Sequence, residues 1–115
     1  MVKPRQGDIY WVKFGPLKDL GPSGKRPAIV VQNDLLNRSN IRTTVVALIT
    51  SNQKLAAVPG NILLKKGIAN LPKTSVVVVS QMATVDKGRL LEKIGTLGKT
   101  SREAVNEGCQ WVIGR

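Results

Sequence analysis

Lys25-Arg26-Pro27-Ala28-Ile29-Val30-Val31-Gln32-Asn33 is the stretch on which the fold turns. Pro27 restricts the residue before it, so Arg26 is pushed out of helical space toward an extended backbone. Ala28, Ile29, Val30 and Val31 form a short, mostly β-branched apolar run. Such a run reads as a buried strand over Ala28–Gln32. An arginine at the mouth of a buried strand is held stiffly, and rigid elements make accurate sites. Taken alone, the pattern is more often a solvated cation ahead of a core strand, because most Lys and Arg are exposed. The rest of the chain has to decide between the two.

Strands are expected on both sides of this stretch. Residues 8–14, rich in aromatic and β-branched types, predict a first strand. Between it and Ala28 lie Gly15, Gly21, Gly24, Pro16 and Pro22, with Lys18 and Lys25 among them. That composition predicts a loop, long for a strand connection, and long loops are often functional. Asn33 can cap a helical turn through Asp34, Leu35 and Leu36. Residues 43–50 predict a third strand ending in Thr50-Ser51-Asn52. Pro59-Gly60 and Lys66-Gly67 punctuate the next stretch. Four consecutive valines, Val76 to Val79, place an interior strand at 75–82, and a further short strand falls at 90–94. Thr100-Ser101-Arg102-Glu103 has the form of a capping box, which predicts a helix from there to about Ile113. Val105, Cys109 and Val112 give that helix one apolar stripe, which Trp111 widens, so Trp111 is expected in the core. The whole is mainly β: a small SH3-like barrel closed by a C-terminal helix.

With 115 residues, one domain over 1–115 is expected. Lys and Arg number 18 against 7 Asp and Glu, a formal charge of +11, which calls for an anionic partner, most often nucleic acid. Only Tyr10, Trp11, Phe14 and Trp111 are aromatic, too few for a sheet that stacks several bases. One cysteine, Cys109, fits a reducing cytoplasm. No long apolar run predicts a membrane span, and the N-terminus lacks the apolar stretch of a signal peptide. Histidine is absent, which removes the Ser-His-Asp triad, the two-histidine ribonuclease and the His-ligated zinc site.

The order Gly7-Asp8-Ile9-Tyr10-Trp11-Val12, Arg26-Pro27-Ala28-Ile29-Val30-Val31, Asn33-Asp34, Thr50-Ser51-Asn52, Gln81, Thr84-Val85-Asp86-Lys87 and Arg89-Leu90 resembles the MazF/PemK family of toxin endoribonucleases. The resemblance spans roughly residues 7–113. It implies a homodimer of SH3-like barrels that cleaves single-stranded RNA sequence-selectively without a metal or other cofactor. It implies an antitoxin partner that blocks the site, and contact with DNA only through that antitoxin. The family's catalytic Arg and Thr map to Arg26 and Thr50. Lys18, Lys25, Ser51, Asn52 and Gln81 become the candidate RNA contacts. The chain departs from the family at three places. Val78 and Ser80 stand where some members carry Arg and Asp, and Ala83 where many carry Arg.

The chemistry of the residues agrees. RNA can be cut by its own 2′-OH attacking the neighbouring phosphorus, leaving a 2′,3′-cyclic phosphate and a 5′-hydroxyl. The protein then positions that attack and offsets charge on the phosphorane oxygens. A guanidinium offers planar, paired donors to phosphate. Two other readings share the barrel. One is a gyrase poison of the CcdB kind, whose Trp-Gly-Ile end Trp111-Val112-Ile113-Gly114 superficially resembles. The other is an RNA-binding barrel without catalysis.

Overall fold

The computed structural model describes residues 2–15 and 24–114. Six strands and two helices follow in the order β1 (Asp8–Lys13), β2 (Lys25–Val30), α1 (Asp34–Asn37), β3 (Thr43–Thr50), β4 (Ile62–Leu64), β5 (Ser75–Asp86), β6 (Leu90–Thr96) and α2 (Lys99–Val112). All six strands form one antiparallel sheet, β4-β5-β3-β2-β1-β6, curled into a half-barrel. Five of the strands lie where the sequence predicts them; β4 at Ile62–Leu64 is not among those expected, and β5 runs on to Asp86 rather than ending at 82. β2 starts three residues early because Lys25, Arg26 and Pro27 pair with Lys13, Val12 and Trp11.

The apolar runs are nearly continuous because the sheet is covered on both faces. Along β2, Ile29 points to one side, into a core with Ile9, Ala47, Val77 and Val79. Ala28 and Val30 point to the other, with Tyr10, Val12, Val46 and Val85. Helix α2 covers the first side through Val105 and the half-buried Cys109.

β5 carries the curl. Leu48 of β3 pairs with Val78, yet its neighbour Ala47 pairs with Met82, so Val79-Ser80-Gln81 bulge out of the ladder. A bulge sharpens twist and bends the strand. The side chain of Asn61 takes up one freed donor, its Oδ1 accepting from the Val79 amide at 3.1 Å.

Among the described residues the edge strands β4 and β6 do not pair with each other. A 3₁₀ turn at Ile68–Asn70 spans from β4 to β6 instead. Its Ala69 carbonyl sits where a side chain at residue 95 would lie, 2.1 Å from an ideal Cβ, so only glycine fits at Gly95. Gly108 plays the same part in α2, where the Gly60 carbonyl lies 2.3 Å from an ideal Cβ. The cost of glycine in a helix, about 1 kcal/mol, is accepted there for close packing.

Two expectations about α2 fail. The helix begins at Lys99 after Gly98, with no side-chain cap, so Thr100 lies inside the first turn. Glu103 faces Lys99 at 4.0 Å, an i,i+4 pair, rather than reaching back to a cap. Trp111 is 64% exposed and is not core: the helix is seated by Val105 and Gly108, and the residues near its C-terminal end face outward.

The Gly7-Asp8 motif is a clip. Asp8, 2% exposed, accepts from the Arg5 amide at 3.0 Å and Thr96 Oγ1 at 2.8 Å, with Lys93 Nζ at 3.3 Å. It fixes β1 against β6. Asn33-Asp34 is a second clip. Asn33 Oδ1 caps α1 by accepting from the Leu35 amide at 2.8 Å, and Asp34 Oδ1 accepts from the Gln6 amide at 2.7 Å and Asn37 Nδ2 at 3.1 Å.

Burial alone would raise the Asp34 carboxyl. The bonds from Gln6 and Asn37, with Arg38 and Arg5 nearby, outweigh it and hold the group below its ordinary value. A carboxylate lowered in the folded state adds stability above its unfolded value and loses it as pH falls through its folded value. Unfolding free energy should therefore fall on acidification below about pH 4. In Asp34→Asn that part of the acid dependence should disappear, as read from urea midpoints at pH 5 and pH 3.

Candidate active-site cleft

The pairing of β2 with β3 runs Val30–Val46, Ile29–Ala47 and Ala28–Leu48, and stops there. Pro27 has no N–H to extend it. β3 continues to Thr50, still paired to β5 through Val76. Beyond Ala28 the two strands thus carry side chains that face each other with no ladder between. Continuing the register by two residues sets Arg26 opposite Thr50.

A cleft of about 270 Å³ opens at this place. Arg26, Pro27, Thr50 and Ser51 line it from the strand ends, and Trp11 from β1. Leu71, Pro72 and Lys73 enter from the segment before β5 and Ser75 from its first residue, with Ile94 of β6. That last wall is positioned by backbone strain. Ala69 and Asn70 both have positive φ, 50° and 62°, a conformation costly for alanine. The Asn70 side chain donates to the Ile94 carbonyl at 3.2 Å, and the Ala69 carbonyl fills the space at Gly95. Leu71-Pro72-Lys73 is thereby brought alongside β6.

Thr50 Oγ1 accepts from the Asn52 amide at 3.2 Å. The bond fixes the rotamer and leaves the hydroxyl proton free to donate. Ser51 is exposed and lines the cleft. Asn52 does not line it. Its Oδ1 accepts from the Lys54 amide at 3.2 Å and starts the 3₁₀ turn Gln53–Ala57. Lys25 does not line the cleft either, but its Nζ lies 5.3 Å from the centroid of the Trp11 ring, a cation–π distance. Gln81 is exposed in the β5 bulge, away from the cleft wall. Lys18 lies outside the described residues.

The sequence reading missed Lys73, Trp11 and Ser75. Ser75 Oγ donates to the Lys73 carbonyl at 2.8 Å and steadies that wall. Pro72 restricts Leu71 before it and not Lys73 after it, so the local pattern differs from Arg26-Pro27 and does not mark Lys73. At the departures, Val78 is buried opposite Leu48, Ser80 is exposed in the bulge, and Ala83 packs against the second core cluster.

The side chains lining the cleft are cationic, hydroxylic or apolar, with no carboxylate among them. Among the described residues no three His, Cys, Asp or Glu side chains come together. Such a site suits an anion with donors aimed at its oxygens.

Residues 5–113 match the family described as PemK-like, MazF-like toxins of type II toxin-antitoxin systems. The chain belongs to the PemK/MazF toxin family. It is 36% identical over 108 residues to Endoribonuclease MazF2 of Mycobacterium bovis, covering 94% of this chain and 95% of the relative. With Endoribonuclease MazF of Staphylococcus saprophyticus it is 33% identical over 110 residues, 96% of this chain and 91% of the other. Among solved structures, its fold is similar to a mycobacterial endoribonuclease in complex with its cognate antitoxin (TM-score 0.77, 22% identity, 96% and 95% coverage). It is also similar to MazE-MazF of Deinococcus radiodurans (TM-score 0.75, 19% identity, 99% and 98% coverage). The PemK/MazF chain described here thus shares the half-barrel of these structures. No helix in its described residues is long and apolar enough to cross a membrane.

The Lys25–Trp11 contact can be checked directly. In a Trp111→Phe background, Trp11 is the remaining tryptophan. Lys25→Ala should raise acrylamide quenching of its fluorescence. Unchanged quenching would show that Lys25 does not shield the ring.

Proposed function

We propose that this chain is the toxin of a type II toxin–antitoxin pair and cuts single-stranded RNA, messenger RNA included, with no metal or other cofactor. The observation that carries this reading is that Arg26 and Thr50 line one cleft where the β2–β3 ladder has ended, a cleft with no carboxylate in its lining. The relatives named endoribonucleases support it, as does the charge of +11.

In this mechanism the substrate supplies the nucleophile. The ribose 2′-oxygen attacks the adjacent phosphorus and its proton is lost. The 5′-oxygen leaves and takes up a proton. The products carry a 2′,3′-cyclic phosphate and a 5′-hydroxyl. Arg26 holds two phosphorane oxygens as charge builds on them, and the Thr50 hydroxyl donates to a non-bridging oxygen. A guanidinium has no acceptor and does not give up its proton, so Arg26 acts as a clamp and not as a base. Lys73 adds a second positive charge on the opposite wall, and Ser51 offers a further hydroxyl to the phosphate. Lys18, Lys25, Asn52 and Gln81 contact the RNA chain on either side of the cut.

The partners follow from the same site. The working form is a homodimer in the cytoplasm, each chain one toxin domain. A cognate antitoxin with an acidic segment covers the Arg26 cleft and competes with RNA there. The toxin itself does not read DNA, which is reached only through the antitoxin.

Incubation of a long RNA with the purified protein in EDTA tests this. Wild type should leave cyclic phosphate ends, and a 2′-deoxy sugar at the cleaved step should bind and survive. Arg26→Ala should lower the rate by about 10²–10³-fold, roughly the cost of one lost oxyanion donor. Arg26→Lys should recover little, because a point charge lacks the planar fork. Thr50→Ser should keep a measurable part of the activity that Thr50→Ala loses. Full activity in folded Arg26→Ala, or cleavage of the deoxy-substituted step, would overturn the mechanism.

A further inference from the structure

The opposite end of β3 carries a second cationic site. Two adjoining clefts, of about 200 and 470 Å³, share Lys3, Asn37 and Arg38. The first is completed by Arg42 and Lys87, the second by Arg5 and by the one carboxylate of the lining, Asp34. Thr43 begins β3 beside them and Thr50 ends it, so about 23 Å of strand separates them from the Arg26 cleft.

Its floor is built and rigid. Asn37 is 3% exposed, and its side chain is fully used. Oδ1 accepts from Gln32 Nε2 at 2.9 Å and Thr44 Oγ1 at 2.8 Å, while Nδ2 donates to the Gln32 carbonyl at 2.9 Å and to Asp34 at 3.1 Å. Lys87 is 5% exposed, and its Nζ donates to the Asn37 carbonyl at 3.1 Å. An ammonium carries three donors, and that carbonyl is its one acceptor among the described residues. A buried cation with donors to spare is costly unless an anion reaches it.

The acids nearby are already engaged. Asp34 accepts from Gln6 and Asn37. Asp86 accepts from the Gly88 amide at 2.7 Å and meets Arg42 only loosely, at 3.9 Å, with both side chains exposed. Lys3, Arg5 and Arg38 form no ion pair among the described residues.

We propose that this site binds backbone phosphates of the RNA chain beyond the cleaved step, as a second, sequence-independent anchor. The inference rests on the RNA-binding reading but not on the Arg26–Thr50 chemistry. The lining favours phosphate over an acidic peptide. Apart from Pro4, Val2 and Ile41 are its apolar members, whereas peptide sites depend on buried apolar anchors.

The test is fluorescence anisotropy with a labelled 20-nucleotide 2′-O-methyl oligouridylate, whose blocked 2′-oxygen cannot attack, so that it survives binding. Affinity is measured against salt for wild type, for Arg38→Gln with Arg42→Gln, and for a charge-matched control. The control, Lys65→Gln with Lys99→Gln, alters cations that line neither cleft. The salt slope should fall by about 1.4 in the Arg38/Arg42 variant, two phosphates at about 0.7 each, and by much less in the control. The Arg38/Arg42 variant should still cut a short RNA, so failure of the anchor is distinguishable from failure of the catalytic reading. An unchanged slope, or an equal fall in the control, would overturn the anchor. So would selective loss of poly-glutamate binding with the oligonucleotide slope intact, which would assign the cleft to an acidic peptide.

Discussion

The ladder between β2 and β3 ends at Ala28 and Leu48 because the next residue, Pro27, has no amide hydrogen. Much of the site depends on that ending. Had the ladder run on, main-chain bonds would join the strands where the cleft opens. Instead β3 stays bound to β5 as far as Thr50, and β2 stays bound to β1 as far as Lys25. Two rigid strands therefore diverge, each held from its far side. Arg26 and Thr50 both line the cleft, each from a strand whose other edge stays paired. In the proposed mechanism the paired backbone of β2 sets where the Arg26 guanidinium can reach, and so limits the reorganisation that charge stabilisation in the transition state would need.

The remaining wall comes from the strained end of the fold. Among the described residues β4 and β6 do not pair with each other, and the turn at Ile68–Asn70 bridges them with two residues at positive φ. Gly95 makes the bridge possible by leaving room for a carbonyl. The consequence is local: Leu71, Pro72 and Lys73 are swung onto the cleft, and Ser75 ties Lys73 down. Strain of this kind persists only where the surroundings over-determine the backbone.

Much of this was legible in the sequence. The central strands were readable because their buried parts are apolar on both faces, which leaves β-branched runs such as Val76–Val79. Arg26 and Thr50 were readable because a proline and a strand end mark their places. Lys73 was missed because its approach to the cleft depends on backbone torsions at Ala69 and Asn70 that no residue type announces. Asn52 and Gln81 lie off the cleft wall: Asn52 Oδ1 caps a 3₁₀ turn, and Gln81 sits on a bulge whose position arises from pairing with β3. The capping pattern at Thr100–Glu103 misled because Gly98 starts the helix earlier, and Trp111 misled because an apolar stripe says nothing of where the sheet stops covering it. Cys109, on the same stripe, is half-buried, and burial pushes its thiol up from its ordinary value.

The central claim is that Arg26 and Thr50 act on one phosphate as a unit. A double-mutant cycle on single-turnover cleavage in EDTA measures this directly, comparing Arg26→Ala, Thr50→Ala and the pair against wild type. Groups that serve the same transition state give losses far from additive. The account predicts a double variant little slower than Arg26→Ala alone. Losses that multiply in full would show that the two residues act independently, and would contradict it.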